Sequence, residues 1–221
     1  MGTTMSFYWV CNTGAAPETL RQKLEPVRRE AERGDEQFMK LLSSFMTPDA
    51  LRQMREGAAA GQAEISRMFS SGGRAASGGP RLAYRQDAPW LPYFEARLCD
   101  GGIADSSRAR RLSRKLGAPV LAFALFDSDI CFVSYAGASG EAWDHAKPNL
   151  PEFEEFDREF FSTDFPDFIL GLFPAADAAS LRALWEGEEV FADGRMEKMC
   201  AALGLPLLYG EEAPPQGFEF L

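Results

Sequence analysis

Hydrophobic positions change period several times along the chain, and each change marks a boundary between elements. Phe7, Tyr8, Trp9 and Val10 follow one another without a break. An aromatic and β-branched run of that length predicts a strand over Ser6 to Cys11, closed by the turn residues Asn12-Thr13-Gly14. Pro17 then opens a helical region in which Leu20, Leu24 and Val27 recur at near-helical spacing, with Gly34 as its stop. The same spacing in Phe38, Leu41, Leu42 and Phe45 predicts a helix over Glu36 to Phe45. Thr47-Pro48-Asp49 is a helix start, and Ala63 to Phe69 reads as another helix.

Residues 70–80 (SSGGRAASGGP) form a flexible Gly/Ser loop, since glycine and serine leave many conformations and nothing to bury. The loop is a possible boundary between a helical N-terminal part and a C-terminal sheet part. A single strand before it is too little sheet to stand alone, so residues 1–221 are expected to form one domain. Beyond the loop, Arg81 to Arg85 reads as a short strand. Ala88 to Tyr93 reads as irregular because it carries two prolines. Asp105 or Ser106 caps a helix that runs to Leu116 and stops at Gly117.

Pro119 to Phe126 and Ile130 to Ala136 are expected strands joined as a hairpin through Asp127-Ser128-Asp129. Val120, Leu121, Phe123, Leu125 and Phe126 make the first apolar on both faces, the pattern of a strand inside a covered sheet. From Pro151 the pattern turns helical. Leu181 to Trp185 is a short helix, Glu188 to Ala192 a brief strand, Met196 to Leu203 a helix closed by Gly204 and Pro206, and Gly217 to Leu221 a last strand. Helices and strands mixed without strict alternation predict an α+β fold: a central, mostly antiparallel sheet flanked by helices.

Composition narrows the function classes. With 221 residues, of which 46% are hydrophobic and 25% charged, the chain is long enough for a sizeable core, and 18 phenylalanines make that core aromatic. A net charge of -10 excludes a generic nucleic-acid binder, which needs clustered cations to neutralise phosphate, and is compatible with a basic protein partner. No apolar run approaches membrane length, and Met5 to Cys11 is too short for a signal sequence. Cys11, Cys99, Cys131 and Cys200 are far apart without a C-x-x-C pair. They read as reduced thiols of a cytoplasmic protein, and no cofactor is implied.

Four groups of residues offer chemistry. Asp127 and Asp129, with Asp144 as a third, are candidate divalent-cation ligands of a metal-dependent hydrolase, although short acidic side chains also suit turns for their own sake. His145, the single imidazole, is the first candidate for acid–base catalysis, but adjacent side chains diverge, so Asp144 does not orient it through adjacency alone, and a surface-loop histidine beside a half-buried Trp143 is its ordinary reading. Gly137-Ala138-Ser139-Gly140 is only superficially a nucleophile elbow. Arg108, Arg111 and Lys115 lie on the predicted helix ending at Leu116, an anion-binding or partner-binding face unless acids of the same chain pair with them.

The tract from Pro151 to Phe168 carries its opposite: Phe153, Phe156, Phe160, Phe161, Phe165 and Phe168 at helical spacing among Glu152, Glu154, Glu155, Asp157 and other acids. Phenylalanine at such spacing is normally core. Where rings are exposed instead, an acidic-aromatic surface docks a basic partner, with Phe153, Phe156, Glu155 and Asp157 as contact residues. A non-catalytic binding module of adaptor or immunity type is the leading expectation, and the hydrolase is the alternative.

The segment RRLSRKLGAPVLAFALFDSDICFVSYAG, followed by the Phe191-Ala192-Asp193 to Leu205-Pro206 region, resembles a pattern in uncharacterised bacterial proteins. The shared features are a helix, a Leu-Gly-x-Pro-Val strand, an Asp-Ser-Asp turn and a later helix ending in Leu-Gly-Leu-Pro. The resemblance covers roughly the C-terminal half. It implies shared ancestry, a bacterial and cytosolic origin and one continuous C-terminal fold, and it carries no activity.

Overall fold

The computed structural model describes residues 5–30, 79–95, 106–127, 129–149, 162–189, 191–208 and 213–221. The expected helices between 36 and 69, most of the Gly/Ser loop, Cys99 and Asp105 lie outside the described residues, as do Phe153, Glu155, Phe156 and Asp157.

Seven strands form one sheet: β1 (Met5–Cys11), β2 (Arg81–Tyr84), β3 (Trp90–Phe94), β4 (Val120–Phe126), β5 (Ile130–Ala136), β6 (Ala142–Pro148) and β7 (Glu219–Phe220). Their order across the sheet is β6-β5-β4-β1-β3-β2-β7, and every strand pair is antiparallel. Five helices are described: α1 over residues 17–30, then α2 (Ser106–Leu116), α3 (Phe168–Leu172), α4 (Ala178–Glu186) and α5 (Ala192–Ala202). This is the α+β arrangement expected from the sequence, a covered antiparallel sheet with helices on both faces.

The period-2 alternation of the strands decides which layer each residue joins. Tyr8, Val10, Val120, Ala122 and Ala124 turn to one face, where Leu20, Leu24 and Val27 of α1 and Ala109, Leu112 and Leu116 of α2 cover them. Phe7, Trp9, Leu121, Phe123 and Leu125 turn to the other, where Ile169 of α3, Leu181 and Trp185 of α4, and Met196 and Met199 of α5 complete a second core. The two cores differ in grain. α2 crosses β4, β5 and β6, and beneath it lie Ala122, Ala124, Ala136, Ala146 and Ser134, all buried. Small side chains let a helix lie close to the sheet. The opposite layer is filled by large rings, with Trp9 edge-on to Phe123 at 5.8 Å.

Three local readings needed correction. Ala88 to Tyr93 is not irregular, because Trp90–Phe94 forms strand β3 despite Pro92. Pro92 faces Trp9 of β1, while the β2 register covers only Arg81↔Phe94 and Leu82↔Tyr93, stopping one residue short of the proline. A residue without an N–H is tolerated where the ladder on one side has ended. Trp143-Asp144-His145 is not a loop but the middle of β6. Glu188 to Ala192 is not a strand: 188 and 189 are non-regular, Phe191 is the N-cap of α5 and Ala192 its first residue, so that helix begins four residues before Met196.

The stops fall as expected. Gly117 (φ +62°) ends α2 and Gly204 (φ +66°) follows α5, both in the left-handed conformation that glycine adopts without penalty. Asn12 fastens the turn after β1, its side-chain amide donating to the carbonyls of Arg85, Gln86 and Ala88, the last at 2.9 Å, while its oxygen accepts from Gly14. Among the described residues no helix is long and apolar enough to cross a membrane.

Candidate functional site

The hairpin between β5 and β6 builds the most distinctive surface. Tyr135 and Trp143 face each other in register, and both turn to the α3 layer. Their rings stack with centroids 5.2 Å apart, Trp143 stacks on Phe168 of α3 at 5.6 Å, and Tyr135 meets the same Phe168 at 5.6 Å. Three plates are thus locked together, yet Trp143 stays 43% exposed. Phe126 and Phe191 are also exposed, but Trp143 differs in being seated on other rings.

The hairpin tip adds a carboxylate. Ser139 Oγ donates to Glu141, while the Gly137 and Glu141 backbones close the turn at 2.9 Å. A Cβ on Gly137 would lie 1.7 Å from a Glu141 carboxylate oxygen, so the side chain rests on the hairpin in space that only glycine leaves. Hydrogen bonds from Ser139 and from its own backbone hold the Glu141 carboxyl below the usual carboxylate range. Burial first, then the charges of Glu141 and Cys11, push the Tyr135 phenol up. The charge of Glu141 is therefore felt at the ring that supports Trp143.

His145 completes the ledge. Its ring lies 5.6 Å from Phe168, and its Nδ1 lies 3.1 Å from the carbonyl of Asp164. A carbonyl only accepts, so Nδ1 carries the hydrogen and Nε2 is left with a lone pair in the neutral form. β6 is extended on this side by a parallel bridge from His145 to Ser162, with Ala146 N–H donating to Ser162 at 2.9 Å.

The pleat separates the catalytic candidates. Asp144 turns to the α2 layer, where Ser134 Oγ donates to it at 2.6 Å, while His145 turns the opposite way. No Ser-His-Asp relay is assembled from these three residues, as the adjacency of Asp144 and His145 foretold. Asp127 and Asp129 occupy the β4–β5 turn, tightened by Asp129 N–H to Phe126 O at 3.0 Å. Asp127 takes a positive φ of 51°, a conformation aspartate tolerates better than most residues. Among the described residues no three acids, thiols or imidazoles gather as metal ligands.

Two cations of the basic helix are paired from within. Arg111 and Lys115 of α2 both bind the carboxylate of Glu30 at the end of the described part of α1. Arg108 is half-buried on the same helix. Of the acidic-aromatic tract, Phe165 is core and Phe168 supports the ledge from below. Sequence reasoning overlooked Tyr135, Trp143 and Glu141 as one surface. The period-2 pattern Glu141, Trp143, His145, Lys147 was the available signal, obscured because its partner face holds only small residues.

Neither a family model, nor a curated protein, nor a solved structure matches this chain. The reading of the site therefore rests on its own chemistry.

Proposed function

We propose that the protein is a non-catalytic binding module, bacterial and cytoplasmic, that receives a basic segment of a partner protein on the Trp143 ledge. The observation that carries this reading is a half-exposed tryptophan already stacked on two supporting rings beside a fixed carboxylate. A pre-seated ring loses little freedom on binding, and its face attracts a lysine or arginine cation. Glu141 supplies a charged acceptor at the rim, and the chain's net charge of -10 draws a cationic partner from a distance. The cytoplasmic placement is supported by Cys11, Cys131 and Cys200, all free thiols.

The test is a fluorescence titration of the full chain with an arginine- and lysine-rich peptide, against a neutral peptide of equal length. Trp143→Ala is expected to weaken binding about tenfold or more, equivalent to about 1.4 kcal/mol. Glu141→Gln should weaken it less and flatten its salt dependence. Equal affinity of Trp143→Ala and wild type would sink the proposal, because attraction by net charge alone would then explain binding.

A further inference from the structure

The α2 layer carries a surface of opposite sign to the ledge. From residue 110 onward, each exposed position of α2 is an arginine: Arg110, Arg111 and Arg114. Arg111 is turned to Glu30, which also takes Lys115. Arg110 and Arg114 pair with no acid among the described residues. The macrodipole accounts for Arg114 and Lys115, which stand in the last turn. It does not account for Arg110 in mid-helix, and two like charges four residues apart repel each other. The pair adds nothing to the fold, and it is open to a contact outside the molecule.

Spacing matches this pair to the ledge. Residues i and i+4 of a helix place their Cβ atoms about 5–6 Å apart. Glu141 and Trp143, two residues apart on one face of an extended chain, are spaced by about 6–7 Å. One guanidinium can lie on the Trp143 ring while its neighbour meets the Glu141 carboxylate. The two surfaces cannot meet within one molecule. α2 crosses β4, β5 and β6 on one side of the sheet, whereas Trp143 stands on the other side with Phe168.

We propose that the partner of the Trp143 ledge is the α2 face of a second copy of this chain, with Arg110 and Arg114 as its contact residues. The inference rests on the binding role of the ledge and names its partner. The contact joins two different patches, so it is heterologous and builds rings or open chains rather than a two-fold dimer. Copies carrying a net charge of -10 each repel at a distance. At about 0.15 M salt, screening confines that repulsion to about 8 Å, and groups in direct contact are affected least.

Sedimentation velocity of the full chain at that ionic strength tests this. Wild type is expected to sediment faster as its concentration rises toward about 0.1 mM. Trp143→Ala, which lacks the ledge, and the double variant Arg110→Glu with Arg114→Glu, which lacks the cations, should each remain monomers. Mixed in equal amounts they should form a dimer that grows no further, because each supplies the patch the other has lost. Should Trp143→Ala fail to fold, Glu141→Lys takes its place in the mixture. A monomeric wild type, or a double variant that still associates, overturns the proposal. Titration with the basic peptide separates the two failures. A monomeric wild type that binds the peptide through Trp143 loses only the self-association, and one that does neither loses the ledge as well.

Discussion

Single side chains here act mostly as fasteners between segments distant in sequence. Asn12 is the clearest case, since one carboxamide holds the 85–88 turn against the end of β1 through three carbonyls. Asn12→Ala leaves those carbonyls to water at a partly open site. It should lower unfolding free energy by about 1–2 kcal/mol in urea titration, while Asn12→Asp, unable to donate, should be no better. His145 invites a spectroscopic check. Its bond to the Asp164 carbonyl requires hydrogen on Nδ1, so nitrogen NMR of the neutral ring should find Nε2 unprotonated. The opposite tautomer would mean that this contact is absent in solution.

Elements were legible where their residues were large and missed where they were small. β1, β4, β5 and α1 announce themselves through Phe7 to Val10, through the doubly apolar Pro119 to Phe126 run and through Leu20, Leu24 and Val27. β6 hides because the face it turns to the α2 layer is Ala142, Asp144, Ala146 and Pro148, a set with little hydrophobic contrast. β3 hides behind Pro92, whose acceptability depends on where the neighbouring ladder ends, a tertiary fact. The ledge stayed illegible for the same reason: Tyr135, Trp143, Glu141 and Phe168 converge only once the register of β5 and β6 is known. The difference in grain between the two cores makes a further prediction. Ala124→Leu, under α2, should destabilise by about 1–3 kcal/mol through overpacking. Phe123→Ala, one residue away on the other face, should cost about 3–5 kcal/mol through a cavity. Similar small losses at both positions in denaturant melts would contradict the asymmetry.

Across the whole molecule, stability should respond to alkali more than to mild acid. Burial raises the thiol of Cys131 to about 12 and that of Cys200 well above its ordinary value of 9.0. A raised folded pKa means that the stabilising difference is complete below the unfolded value and is lost as pH climbs toward the folded one. From about pH 9 upward each thiol should therefore remove about 1 kcal/mol of stability per pH unit. Urea midpoints should fall between about pH 9 and pH 11, and Cys131→Ala should flatten that fall while lowering stability throughout. An unchanged slope in the variant would show that Cys131 is not the thiol responsible.

The position of β1 between β3 and β4 also bears on the order of assembly during synthesis. Among the described strands, β1 comes earliest along the chain and is the middle of the finished sheet, and its Met5 pairs with Leu125, 120 residues later. At translation rates of about 5–20 residues per second, that edge waits about 6–24 s for its partner. Through that interval Phe7, Tyr8, Trp9 and Val10 form an adhesive half-built seam. The ribosome-bound chain is thus a natural client for holding chaperones, and a message truncated before β4 should yield aggregate rather than a smaller folded protein.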